Sequence, residues 1–283
     1  MRSRWISYSS CGVDFAGSRF ELALPVLGLL LLAGCVGPAS TPAPRQPVYP
    51  GFDTSLYPGD DTARRWRAES PYQWIGYYLP APCHRETSWA GTRERLTGMG
   101  WGIAILYVGQ QAFEGSAAPD PTTGTPIICS RTLLTAEQGR RDARDAADQA
   151  GREGFARGSI VYQDIENMRV IPDSMRAYYS AWQREMLADG RYLPGTYAHQ
   201  LNAVALLPLA EEAYRAVGRT ETPPFWVAGG SDFSLDRPAW SIGLPFVRIW
   251  QGALDVDRSW GGRTLRIDEN VATSASPTSP SNP

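Results

Sequence analysis

The sequence predicts an α/β fold, closed as a TIM-type (β/α)8 barrel with reduced late helices. Three observations predict it. Short apolar runs of strand length alternate with helix-length patterns from residue 49 to residue 268, the repeat of a parallel sheet with crossover helices. One such run, residues 158–165, is rich in β-branched residues and sits between helical patterns at 134–155 and 173–189. The repeating part, residues 50–272, has the size one barrel fills.

In chain order, residues 49–54 read as the first strand and end near Asp53. Residues 60–69 read as a helix, with Asp60 and Asp61 in the first turn and Ala63 and Trp66 at helical spacing. Residues 73–79 are the second strand, stopped by Pro80 and Pro82. A helix over 88–99 and a strand over 101–108 follow. Residues 110–128 form a long loop rich in Gly, Pro and Thr, a length often kept for function.

Thr135 then caps a helix whose Ala136, Ala143, Ala147 and Ala150 make a packing stripe, while Arg140-Arg141-Asp142 reads as a solvated face. After the fourth strand and its helix come a strand at 192–198, a helix at 203–217, and strands at 224–228, 245–251 and 263–268. No good helix fits between the sixth and seventh strands or between the seventh and eighth.

The bulk numbers exclude little but point somewhere. A formal charge of −2 gives no reason to expect nucleic acid as a partner. All 27 basic residues are arginine, which reads as a mark of genome composition. His84 and His199 are the two histidines, and neither belongs to a metal-ligand spacing, so no metal and no cofactor is expected. Cys83-His84 are chain neighbours, poor geometry for a thiolate–imidazole pair.

Residues 1–35 read as an export signal. Arg2, Arg4 and Arg19 precede an apolar run at 22–33, too short for a comfortable membrane span, and the run closes with Leu32-Ala33-Gly34-Cys35. That close resembles the lipobox of bacterial lipoproteins, which implies lipidation of Cys35 as the first mature residue. The alternatives are an uncleaved anchor or a plain secretory signal. Residues 36–49, rich in Pro, are expected to be an extended tether, and residues 273–283 a disordered Ser/Thr/Pro tail. If the domain is exported, Cys83 and Cys129 are free to bridge.

The chemistry gathers on acids. On a strand, Asp164 and Glu166 point the same way and Ile165 points opposite. Asp53, Asp164, Glu166 and Asp268 all fall at expected strand ends, and a closed barrel brings such ends to one mouth. Glycosidic cleavage needs this kind of cluster: one carboxyl protonated to serve the leaving oxygen, another ionised to face positive charge at the sugar carbon. The reading assigns Glu166 as proton donor and Asp164 as ionised partner, with Asp53 and Asp268 orienting substrate or tuning the pair. Tyr78, Tyr197, Trp226 and Trp250 are candidates to stack on sugar rings, although alternation along strands sends some of them into the core.

Several short motifs carry a family resemblance. Gly51-Phe52-Asp53-Thr54-Ser55 looks like the opening of family 25 glycoside hydrolases, the Chalaropsis-type lysozymes, and Asp164-Ile165-Glu166 matches their Asp-x-Glu motif. Gly195-Thr196-Tyr197, Phe225-Trp226-Val227-Ala228, Ile249-Trp250-Gln251 and Ile267-Asp268-Glu269-Asn270 resemble their later strands in order. A closer match over residues 50–272, including Ile75 to Leu79, is the bacterial glycoside-hydrolase-like domain known earlier as a domain of unknown function (1906). The resemblance implies a barrel, peptidoglycan or a related cell-wall polysaccharide as partner, and Glu166 as acid with Asp164, Asp53 and Asp268 around it. It also implies that a substrate acetamido group can serve as nucleophile.

The chain departs from the lysozyme pattern at Ala228-Gly229-Gly230, where a cleft-lining side chain is usual. The expected protein is therefore an exported monomer at the cell envelope, touching the membrane through its lipid alone and hydrolysing a wall glycan. The alternatives are a surface lipoprotein that binds glycan or a partner without turnover, and a hydrolase with another nucleophile or a metal.

Overall fold

The computed structural model describes residues 47–113, 118–119, 126–127 and 129–279 of the chain. The expected export signal, Cys35, residues 36–46 of the expected tether and residues 280–283 lie outside the described residues.

Eight strands close into a barrel. They are β1 (Tyr49–Asp53), β2 (Trp74–Tyr78), β3 (Gly102–Tyr107), β4 (Ile160–Ile165), β5 (Leu193–His199), β6 (Phe225–Ala228), β7 (Val247–Trp260) and β8 (Arg263–Ala272). They stand around the barrel in chain order, and β8 returns to β1. Among the described residues five α-helices lie between them: α1 (Asp60–Glu69), α2 (Arg93–Gly98), α3 (Ala136–Arg152), α4 (Asp173–Asp189) and α5 (Gln200–Ala216). The predicted α/β barrel with reduced late helices is borne out, with a single 3-10 turn (Ala239–Ile242) between β6 and β7 and no helix between β7 and β8.

The last strand differs from a uniform parallel barrel. β1 through β7 are parallel, but β8 runs antiparallel to both β7 and β1. The cause is local. Gly261 and Gly262 adopt φ values of 59° and 70°, and a two-residue turn of this kind can join only antiparallel neighbours. Asp268 is therefore not at a strand end. It sits within β8, directly opposite Asp53 of β1.

Inward positions alternate along each strand. Trp74, Leu106, Ile160, Tyr162, Trp226 and Ile249 fill the barrel interior. Small residues make room for them: a Cβ on Gly195 would stand 2.6 Å from the Tyr162 ring. Outward positions pack under the helices. Thr135 Oγ1 accepts from Gln138 N at 3.1 Å and starts α3 as expected.

The solvated reading of Asp142 is corrected. It shares the buried face of α3 with Gly139, Ala143 and Ala146, and it accepts a 2.5 Å bond from the Tyr178 hydroxyl of α4. The spacing 139, 142, 143, 146 is one helical face, so the acid travels with the small residues that let α4 approach.

The expected disordered tail is corrected over 273–279. Thr278 N donates to Ile103 O at 2.9 Å, Ile160 N donates to Thr278 O at 2.6 Å, and the Tyr162 hydroxyl donates to Pro277 O at 3.2 Å. This segment crosses the end of the barrel where β3 and β4 begin, and Pro277 and Thr278 are buried there. Composition suggested disorder, but backbone groups at strand starts need partners, and this segment supplies them. Tyr49 opens β1, as the reading of residues 49–54 as the first strand expects.

Candidate active site

Asp53, Asp164, Glu166 and Asp268 meet at the mouth formed where β1 and β4 end. Asp53 is 3% exposed. It accepts from the Tyr78 hydroxyl at 2.7 Å, from Gln251 Nε2 at 2.8 Å and from Asn270 Nδ2 at 2.8 Å. Burial, then the Asp268 charge, push its carboxyl up to about 7, against the pull of those three donors. Room for Asp53 comes from Gly76, where a Cβ would lie 2.4 Å from the Asp53 Cβ.

Asp164 is 6% exposed, and its Oδ1 has no hydrogen-bond partner among the described residues. Burial first, then the charges of Glu166 and Asp53, drive it well above the ordinary carboxylate range. Asp268 is raised by burial, and it accepts from the Asp255 backbone N–H at 2.6 Å.

Glu166 is solvent-exposed at the rim. Its carboxyl is still raised, by the protein around it first and by Asp268 after, while the Asn167 N–H pulls it down. A raised Glu166 suits a proton donor. The ionised state expected for Asp164 is not what the protein alone favours, because burial without a donor stabilises the neutral acid.

Both aromatic candidates on β2 and β5 lie at this mouth. The Tyr197 hydroxyl donates to Gln251 Oε1 at 2.7 Å, and all four acids act on it. Tyr78 bonds Asp53 and stacks at 4.6 Å on His84. Burial holds His84 down at about 4, so that ring is neutral at pH 7. His199 caps α5, accepting from Leu201 N at 3.2 Å.

The two tryptophan candidates are corrected. Trp226 is fully buried in the barrel below the mouth, edge-on to Trp74, Tyr162 and Tyr197, and it donates to Asn270 Oδ1 at 2.8 Å. Trp250 faces outward from β7, fully buried against Phe233, and it donates to Gly229 O at 2.6 Å. Neither ring presents a face to a sugar. The Gly229-Gly230 departure is a turn with φ of 104° and 83°.

Sequence reasoning missed three amides. Gln251 and Asn270 organise Asp53 from β7 and β8, and two register shifts between Ile267 and Asn270 hide their placement from a count along the hairpin. Gln111, fully buried, donates from Nε2 to Asp164 O at 2.9 Å and accepts from Glu166 N at 3.1 Å. It takes the place of a neighbouring strand beyond the last β3–β4 pair, Tyr107 with Gln163. No sequence signal marks it except its place after a strand in a long loop.

Cys83 and Cys129 form a disulfide with Cα atoms 4.9 Å apart, tying the loop after β2 to the end of the long loop. A cavity of about 730 Å³ opens at the other end of the barrel, lined by residues such as Trp240, Phe246 and Arg248. It holds none of the four carboxyls, and chemistry rather than volume assigns the site.

A family model described as "Rv2525c-like, glycoside hydrolase-like domain" matches residues 64–272. The resemblance read from the motifs is borne out. An uncharacterized protein of B. stearothermophilus is similar in structure, with 19% identity over 79% of this chain and 95% of that one, at a TM-score of 0.55. That likeness is one of fold. The Mycobacterium tuberculosis Tat-secreted protein Rv2525c, in complex with L-tartrate, matches at 15% identity, 80% and 95% coverage, and a TM-score of 0.45. A bacterial lysozyme from Streptomyces coelicolor matches at 16% identity, 78% and 90% coverage, and a TM-score of 0.49. No curated protein matches the chain.

Proposed function

The chain belongs to the Rv2525c-like, glycoside hydrolase-like family, and from that premise we propose that it is an exported glycosidase of a cell-wall glycan. The observation that carries the reading is the juxtaposition of Asp164 and Glu166 on one side of β4, facing Asp53 and Asp268 across the mouth. Glu166, open to solvent and raised, gives its proton to the glycosidic oxygen. Asp164, ionised once substrate supplies a donor or cation, faces the positive charge that develops at the sugar carbon. Asp268 helps keep the proton on Glu166, Asp53 stands opposite Asp268, and Tyr78 and Tyr197 edge the sugar. Peptidoglycan or a related wall polymer is the substrate class.

Export and attachment through Cys35 are part of the proposal. The Leu32-Ala33-Gly34-Cys35 close and a disulfide, which persists in oxidising compartments, support it.

The second reading is a wall-binding surface protein without turnover. The exposure of Glu166 favours it, since acids of this kind are usually more enclosed. Incubating the full chain with purified peptidoglycan separates the two. New reducing ends, read by mass spectrometry, support hydrolysis. Protein that sediments with the wall and releases nothing supports binding alone.

A further inference from the structure

The acids at the mouth face no counter-charge. The groups acting on Asp53, Asp164 and Glu166 include no cation among the described residues. Arg266 acts weakly on Asp268, but it is engaged with Asp255 and Asp257 at 3.2 and 3.9 Å. The four carboxyls are not gathered as a cage for a bare ion, since no group of three His, Cys, Asp or Glu among the described residues could hold a metal. The second observation is Asp164 itself. It is 6% exposed on an inward position of β4, and its Oδ1 has no partner among the described residues. Three polar groups of the mouth are engaged elsewhere: Gln251 and Asn270 on Asp53, and Tyr197 on Gln251. A buried acceptor without a donor is costly, and more so when it is charged. That oxygen is closed to solvent, so a ligand supplies the donor once the carboxyl turns to the mouth.

We propose that the mouth is built for a sugar bearing a free ammonium group, with Asp164 as its ion-pair partner, so that the glycan taken is one with unacetylated amino sugars. This deepens the glycosidase reading and rests on it for the identity of the mouth as a glycan site. An acetamido N–H could also reach Asp164, but it brings no charge to offset four acids. Anionic sugars are disfavoured by the same field.

Proton linkage follows. Asp53 and Asp268 on β1 and β8, Asp164 and Glu166 on β4, with Tyr78, Tyr197 and the neutral His84 beside them, make up the titrating surroundings. All four carboxyls are raised, Asp53 to about 7, so the mouth keeps protons to higher pH than free carboxyls do. A bound ammonium lowers them again and expels protons, so affinity climbs as pH rises through the titration of these carboxyls until the sugar amine loses its own charge.

The test is calorimetry on the full chain with a β-1,4-linked glucosamine hexamer and the matched N-acetylglucosamine hexamer at pH 6, in two buffers of different ionisation enthalpy. The expected result is at least about tenfold tighter binding of the free amine, with proton release, and loss of that preference in Asp164→Asn. Asp164 is buried, so its replacement leaves the surface field that attracts any polycation nearly unchanged. Equal or tighter binding of the acetylated hexamer, no binding of the amine hexamer, or a preference that survives in Asp164→Asn overturns the proposal. Cleavage of acetylated glycan without amine preference would end this inference and leave the glycosidase reading standing. Amine-selective binding with neither hexamer cut would do the reverse.

Discussion

Asp53 and Asp268 stand opposite one another across the antiparallel pair β1–β8, and one amide reaches both: Gln251 Nε2 lies 2.8 Å from Asp53 Oδ1 and 3.4 Å from Asp268 Oδ2. Two acids at such a separation share one neutralising donor instead of a cation. The result is a mouth that resists ionisation, and several consequences can be measured.

Stability falls with rising pH because of these acids. Their folded-state values are raised, so the folded chain keeps protons that the unfolded chain gives up between about pH 4 and 7. Asp164→Asn removes a penalty without breaking a hydrogen bond. It is expected to be more stable than wild type by about 1–3 kcal/mol at pH 8 and nearly equal at pH 4. Asp53→Asn should do the opposite, because three donors converge on Asp53 and an amide nitrogen would meet donors head-on. Denaturant unfolding at the two pH values reads both. A less stable Asp164→Asn at pH 8 would contradict the electrostatic account.

Gln111 should act as a positioning residue for the acid pair. Its loop is anchored by the Tyr178 hydroxyl, which accepts from Gln110 N at 2.9 Å. Gln111→Leu leaves the Glu166 N–H without its partner. Amide hydrogen exchange at Glu166 is expected to speed up at least about tenfold, with the amides of β4 from Val161 to Gln163 unchanged. Where turnover is measured, kcat should fall by roughly 10- to 100-fold with little change in KM. Unchanged exchange at Glu166 would remove the role.

Much of the fold was readable because it follows periodicity. Strands two to six and all five helices are marked by apolar runs, prolines and the Thr135 cap, and they appear within a few residues of expectation. What was not readable came from context. The direction of β8 hung on reading Gly261-Gly262 as a hairpin turn. Trp226 and Trp250 are aromatic residues near a mouth, yet alternation and the helix-side core bury both. Asp142 looked like one charge in an exposed run, and only the partner helix reveals why it is inside. The order of residues 273–279 depends on the strand starts they cover, information held far away in the chain. For the acids, a two-residue alternation sufficed to bring Asp164 and Glu166 to one side, whereas Gln111 is joined to them across 53 and 55 residues of chain.

The disulfide closes a loop with a sequence separation of 46. Loop-closure entropy puts its contribution near 4 kcal/mol. The double variant Cys83→Ser, Cys129→Ser should lose about that much in urea unfolding, and reductant should not shift its midpoint further. A loss below about 1 kcal/mol would mean the two loops are held by their other contacts.

Truncation after Ala272 should be costly although it leaves every strand intact. It strips Ile103 O and Ile160 N of the partners supplied by Thr278. A loss of roughly 2–5 kcal/mol is expected from unpaired backbone and exposed barrel interior. A variant of unchanged midpoint in thermal unfolding would show that water replaces the segment without penalty.

The central claim is that Glu166 gives the proton that breaks a wall glycan. The most direct measurement compares full-length wild type with Glu166→Gln on purified peptidoglycan, following new reducing ends by mass spectrometry. The account predicts release by wild type and a rate lower by about 10²- to 10⁴-fold in the variant, with the variant still sedimenting with the wall. Equal release by both proteins, or none by either, would contradict it.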